Sequence, residues 1–476
     1  MNARNILAFS VGPIGAAVMG LITLPFVAWF FSPEDVGRLT MLNVTVNFAL
    51  LFFSLGLDQA YVREFHEVED KPGLLKSVFI PGFGILLLVL VCLEFSPWSL
   101  SLLLFGIDSQ FLTVLLYAAI LLSFCSRFLS LILRMQERGL AFSMSQLLPK
   151  FLFLIIILGY VWLGAKAVFD SLIMAHFLAL LSVFVVYAWN TRKDWIPAFS
   201  ASIDKAKQSQ MIRYAIPLIG SGVAFWGLTA MDKVFLRSIS SFEELGIYSI
   251  SVSFAGAALV FQAIFSTVWA PVVYKWAAEG VGPQKIKNVM DYVTLALVLI
   301  WSLVGMFSWV LPYILPPEYN NVHYILLAAV AYPLLYTLSE STGVGIGIKR
   351  KTMFSLLAAI VALIFNAISN WLLIPIYGAA GAAMASAVAL FIFFAIRTEA
   401  SSKLWESFER WQMYGFVIGL VGLSLLFNTV HINTFIIVGI YFFVGLLSLL
   451  AFKKQTKTAI DYALSKFKLK PSIKNE

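Results

Sequence analysis

Residues 6–31 read ILAFSVGPIGAAVMGLITLPFVAWFF, a run of 26 residues with no charge. About 20 apolar residues suffice to cross a bilayer as a helix. Signal-peptide cores run only about 7–15 residues before a small-residue cleavage site, so this segment reads as a retained first span. Comparable runs recur to the end of the chain. The composition agrees: of 476 residues, 61% are hydrophobic and only 12% charged, and the mean hydropathy is +0.90. A soluble chain carries about 25% charged residues. The sequence therefore specifies an all-α, polytopic membrane protein. Gly and Pro inside the runs are no objection, because membrane helices tolerate both.

Fourteen spans are expected, near 6–31, 39–57, 74–94, 111–133, 140–163, 167–189, 211–231, 247–273, 288–312, 323–346, 353–376, 379–397, 413–430 and 434–452. Lys and Arg orient them. With the N-terminus inside, 27 of the 33 fall in the inner loops and the two termini. Three fall outside (Arg38, Lys166, Arg237) and three within spans (Arg127, Lys150, Lys233). This bias predicts cytoplasmic termini. It also explains the net charge of +8: the excess lies near anionic headgroups and does not argue for nucleic acid. Cys92 and Cys125 lie in apolar runs and suggest neither a disulfide nor a metal site.

The chain repeats itself weakly. Ser32-Pro-Glu-Asp-Val-Gly37 follows span 1, and Ser241-Phe-Glu-Glu-Leu-Gly246 follows span 7. GPIG at 12–15 and PLIG at 217–220 precede them, and YVREFHE at 61–67 faces VYKWAAE at 273–279. Each repeat holds an even number of spans, so the halves share one orientation, as in transporters with parallel lobes. The expected division is a six-helix lobe over 1–189 and a linker over 190–210. A second lobe follows over 211–397, then two further helices over 398–452 and a basic tail over 453–476.

Helical spacing collects the polar residues into lines. Thr40, Asn43, Asn47, Ser54 and Asp58 form one line down span 2. Ser123, Arg127, Ser130 and Arg134 form another on span 4; Ser143, Gln146 and Lys150 a third on span 5. Asp232 and Lys233 end span 7, and Glu340 is a lone carboxylate deep in span 10. Ser, Thr and Asn can simply join packed membrane helices. Buried Arg or Lys is costlier, about 2.5–3.5 kcal/mol at a helix centre, and normally faces a partner, cavity or pathway. The pattern predicts a polar cavity with cations in the N-terminal lobe, suited to an anion whose phosphate oxygens Arg can grip in pairs. Arg127, Lys150 and Lys233 are the expected substrate-binding cations, with Asn43, Asn47, Ser123, Ser130 and Gln146 as polar lining. In GLDQAYVREFHE at 56–67, Glu64, His66 and Glu67 read as solvated loop charges, while Asp58 and Arg63 are expected at an inner gate. Glu340 and Asp58 are the carboxylates expected to couple an ion. No GxxxxGK[ST] loop, HExxH or CxxC occurs. The loops are short for an enzyme site, so neither enzyme nor cofactor is expected.

RNILAFSVGPIGAAVMGLITLPFVAWFFSPEDVGRLTML at 4–42, followed by GLDQAYVREFHE, resembles the N-terminal part of the Wzx-type polysaccharide flippases. That family shares a superfamily with the MATE multidrug exporters and the lipid II flippases. The fourteen spans and the KRKT loop at 349–352 are similar too. The resemblance implies alternating-access transfer of an undecaprenyl-pyrophosphate-linked oligosaccharide, such as an O-antigen unit, across a bacterial inner membrane. It implies a cationic lumen, which Arg127 and Lys150 fit by position, and an inner-mouth place for Arg63. Membrane potential or an H+ or Na+ gradient would drive the step, and other glycan-assembly proteins would be partners. The alternative from the residues is a MATE-like, ion-coupled exporter of cations, which should favour lumen carboxylates over cations.

Overall fold

The computed structural model describes residues 3–164, 168–280, 283–430 and 432–468. Lys166, one of the outer cations, lies outside them. Every regular element among the described residues is helical. In hydrocarbon no water can satisfy a peptide group, so apolar runs of this length must close their hydrogen bonds within one helix. Among the described residues, eleven helices are long and apolar enough to cross a membrane. One of them, over Met353–Leu404, is 52 residues long and breaks at Gly378 (φ 52°, ψ −126°). That is the boundary expected between spans 11 and 12; only glycine takes this backbone conformation without strain. Dividing it there, and adding the helices over Ala3–Phe30 and Lys205–Ile239, covers all fourteen expected segments.

The chain packs as two compact units. The first holds residues 1–253 with 315–319, and the second the remainder. The expected second lobe began at 211, whereas residues 211–253 pack with the first unit.

The first unit contains α1 (Ala3–Phe30), α2 (Pro33–Phe53), α3 (Leu57–Glu64), α4 (Lys71–Glu94), α5 (Leu100–Phe105) and α6 (Gln110–Met135). It continues with α7 (Gly139–Trp162), α8 (Phe169–Asn190), α9 (Arg192–Ala198), α10 (Lys205–Ile239) and nearly all of α11 (Phe242–Ala255). Here the structure corrects the reading of span 2. α2 stops at Phe53, and Leu55 (φ 52°) and Gly56 (φ 66°) are both left-handed. Two such residues in a row cannot continue a helix. Asp58 therefore does not prolong the polar line of α2; it opens the new helix α3, within what had read as loop.

The two sequence repeats meet in this unit. Ser32 caps α2 by accepting the Asp35 amide at 3.2 Å, and Ser241 caps α11 by accepting the Glu244 amide at 3.1 Å. The helix starts pack on each other reciprocally. A β-carbon added at Gly37 would stand 2.9 Å from the carbonyl carbon of Phe242, and one at Gly246 would stand 2.7 Å from that of Pro33. Pro33 and Phe242 are 209 residues apart, as are Gly37 and Gly246. The contact is thus locally two-fold, and only glycine lets two backbones approach this closely.

The second unit contains α12 (Leu259–Ala278), α13 (Pro283–Phe307), α14 (Leu311–Ile314), α15 (Val322–Ala329), α16 (Ala331–Thr342) and α17 (Val344–Ile348). The broken α18 (Met353–Leu404), α19 (Trp411–Thr429), α20 (Thr434–Ala451) and α21 (Lys453–Lys468) complete it. Two buried side chains tie its helices together: the indole N–H of Trp301 donates to the Leu327 carbonyl at 2.9 Å, and Asn428 donates to that of Tyr324 at 3.0 Å.

Gly37→Ala and Gly246→Ala each place a methyl group against backbone that cannot turn aside. Each should destabilise the fold by about 1–3 kcal/mol, the usual cost of overpacking. The check is thermal unfolding of the purified protein in detergent, with Gly415→Ala, which meets open space, as the control. Unchanged melting for both variants would refute the close contact.

Candidate functional site

Asp58 and Arg127, 69 residues apart in sequence, are brought together. Arg127 donates to a single oxygen, Asp58 Oδ2, from Nη2 at 2.6 Å and from Nε at 3.2 Å. The partners are unequally covered, with the Arg127 side chain 45% exposed and that of Asp58 8%. The first turn of α3 holds the carboxylate: Asp58 Oδ1 accepts the Gln59 amide at 2.9 Å. A helix start favours negative charge. α6 carries Arg127 on its exposed side, between the buried Phe124 and Phe128. One turn on, Ser130 donates to the Arg127 backbone carbonyl at 2.7 Å.

The other expected residues are more dispersed. Asn43 is half-buried and donates to the Leu39 carbonyl of its own helix at 3.0 Å. Asn47, Gln146 and Lys150 are exposed and Ser123 is half-buried; no hydrogen bond or ion pair joins them to another described residue. Lys150 lies within electrostatic reach of His176 on α8. Lys233 is half-buried next to Asp232, whose carboxylate accepts the Tyr248 hydroxyl at 2.6 Å. Arg63 lies 4.6 Å from the centre of the Tyr214 ring and 3.7 Å from Glu64. In the second unit, Glu340 accepts a hydrogen bond from Ser266.

Three functional candidates escaped the sequence reading. Arg397, counted there as an inner-loop cation, sits inside α18. It donates from Nη1 to Ser339 at 2.8 Å, within electrostatic reach of Glu340. Arg38 and Arg237, counted as outer-loop cations, face one ring from two helices. Their guanidinium carbons lie 5.2 and 4.4 Å from the centre of Phe242. Arg38 also donates to Glu34 at 2.5 Å, to Asp35 at 3.1 Å and to the Phe105 carbonyl at 3.0 Å; Arg237 donates to that of Leu103 at 3.1 Å. The only sequence signal for this cluster was the repeated motif that contains Phe242.

Chemically, the first unit offers a held, half-open guanidinium and an exposed lysine on neighbouring helices. The second offers a carboxylate and an arginine. Among the described residues no group of three His, Cys, Asp or Glu could hold a metal ion.

Residues 2–276 match the family described as polysaccharide biosynthesis protein. The chain belongs to that family. No curated protein matches it at the sequence level. Among solved structures it is similar to the lipid II flippase MurJ in an inward closed conformation. That likeness has a TM-score of 0.66 and 14% identity, covering 95% of this chain and 99% of that one. It is also similar to an inward-facing multidrug resistance MATE family transporter of the MOP superfamily, with TM-score 0.59, 14% identity, and coverage of 81% and 95%. The Vibrio cholerae MATE transporter VcmN in its bent form gives TM-score 0.52, 14% identity, and coverage of 84% and 97%. At these identities the likeness shows the shared MOP-type fold. The solved structures named here are a flippase and transporters, and the chain described here is a multi-pass membrane protein with their fold.

Phe242→Leu keeps an apolar side chain but removes the ring beneath both arginines. With each cation–π contact worth about 0.5–2 kcal/mol, its unfolding midpoint should fall below that of Phe242→Tyr, which keeps the ring. Equal midpoints would mean that the two contacts contribute nothing.

Proposed function

We propose that this protein is a lipid-linked oligosaccharide flippase. It carries a polyprenyl-pyrophosphate-linked glycan unit from the cytoplasmic to the periplasmic leaflet of a bacterial inner membrane, with both termini cytoplasmic. The observation that carries the reading is the half-exposed guanidinium of Arg127 in a span of a polysaccharide biosynthesis family member. Arginine is suited to this cargo because its planar fork grips two phosphate oxygens at once. The flippase activity named for the structurally similar MurJ supports the same class of substrate.

In this mechanism the polyprenyl tail stays in the bilayer while the charged, sugar-bearing head crosses through the protein. Arg127 takes the pyrophosphate, with Lys150 and Lys233 as further cations and Arg63 at the inner mouth. Asn43, Asn47, Ser123, Ser130 and Gln146 line the path with groups that can exchange water for sugar hydroxyls. The protein alternates between inward- and outward-open states as the head crosses. Moving one negative charge outward across an inside-negative membrane is favourable by about 2.3 kcal/mol per 100 mV. Glu340 is the group through which a proton or sodium ion would be counter-transported, and Arg397 sets its electrostatic surroundings.

The test is a clean deletion in the source bacterium, complemented with wild type, Arg127→Lys or Arg127→Glu at matched membrane levels. The deletion should abolish surface glycan and accumulate unpolymerised lipid-linked units on the cytoplasmic side. Wild type should restore the glycan fully. Arg127→Lys keeps a charge without the fork and should restore part; Arg127→Glu should restore under about a tenth, a loss of roughly 1.4 kcal/mol or more of transition-state binding. Intact glycan in the deletion strain, together with new sensitivity to cationic dyes, would reject this function in favour of a MATE-like cation exporter.

A further inference from the structure

The pairing of Arg127 with Asp58 has two possible meanings for an anion carrier. The carboxylate could be a rival that must leave before the substrate anion binds. Alternatively, it could be a holder that aims the guanidinium. The geometry separates them. A guanidinium has five N–H donors in a rigid planar fork. Asp58 takes the Nε–H and one Nη2–H, both on one carboxylate oxygen. The second Nη2–H and both Nη1–H donors have no partner among the described residues. The second Nη2–H and one Nη1–H form the end edge of the fork, the edge that meets two oxygens of one phosphate side by side.

Coverage points the same way. Asp58 is closed off at 8% exposure while Arg127 stays 45% exposed. Asp58 Oδ1 is already engaged by the Gln59 amide at the start of α3, and the Gln59 side chain stands 3.4 Å from Oδ2. The carboxylate is therefore held by the backbone of α3, which the left-handed turn at Leu55 and Gly56 sets off from α2. A latch would need a mobile carboxylate, whereas here the exposed partner is the cation. A free guanidinium edge turned to lipid would be costly, so the open edge has to face a polar path.

We infer that Asp58 is a positioning residue: it grips the Nε–Nη2 edge of Arg127 and presents the Nη1–Nη2 edge to the substrate's pyrophosphate. This rests on the flippase reading above and deepens it. Asp58 stays bound to Arg127 when the anion arrives, so the arginine bridges carboxylate and phosphate instead of exchanging one for the other. Asp58 is then a holder of the guanidinium and not the ion-coupling group, a role left to Glu340.

The experiment measures binding of inorganic pyrophosphate to the purified full-length protein in detergent. It is paired with glycan export in the complemented deletion strain, at equal amounts of folded protein. Arg127→Ala should abolish pyrophosphate binding and export. Asp58→Asn, which frees the fork, should weaken pyrophosphate binding about tenfold and lower export. Asp58→Glu, which keeps the grip, should stay within about threefold of wild type. The charge swap, Asp58→Arg with Arg127→Asp, re-forms an ion pair and should recover thermal stability without recovering binding or export. That arm keeps the test valid should Asp58→Asn fold poorly. Pyrophosphate binding by Asp58→Asn that equals or exceeds wild type would make Asp58 a rival and overturn the inference. Export restored by the swap would make the pair merely structural and overturn it equally. Loss in Arg127→Ala with none in Asp58→Asn would sink this inference and leave the flippase reading standing. Full export by Arg127→Ala would remove the cationic basis of both.

Discussion

A peptide group in hydrocarbon has no water to bond. That constraint makes the chain a series of helices, and it decides the fate of every charge within them. A charge can remain in a span only where it has a partner or a polar space. The described residues show both solutions. Asp58 is covered and held, Arg127 is held on one edge and open on the other, and Glu340 receives the Ser266 hydroxyl.

The contact between the starts of α2 and α11 brings the two matching motifs of the chain face to face. The two motifs share a serine cap and a glycine four residues after the first helical position. They meet glycine to carbonyl in both directions. Neither glycine is needed for a turn. Both are needed because two backbones come within the space a β-carbon would fill. The phenylalanine at the matching position of the second motif gains a further role, as the ring faced by Arg38 and Arg237. Two cations counted in the outer loops are thereby part of the packing around this contact.

The candidate site was legible in part. Arg127 stood out because an arginine within an apolar run is costly and rare. Asp58 stood out because it followed the polar line of span 2, although that reason was mistaken: the line ends at Leu55 and Gly56, and Asp58 belongs to a separate helix. Its pairing with Arg127 spans 69 residues of sequence, and no periodicity can express such a contact. Arg397 was missed because it lies near the end of a 52-residue helix, where length alone could not separate span from loop.

Hydropathy and the distribution of Lys and Arg determined, without any coordinates, that this is an all-helical chain of about fourteen spans, and they located the break near Gly378. These properties depend on runs of neighbouring residues meeting a bilayer of fixed thickness, so they are local and additive. Which helices touch was decided only by tertiary structure. So was the placement of residues 211–253 with the first unit, and so was the edge of Arg127 that is left open. Each of these depends on close packing between segments far apart in the chain, where a missing β-carbon or one carboxylate oxygen settles the outcome.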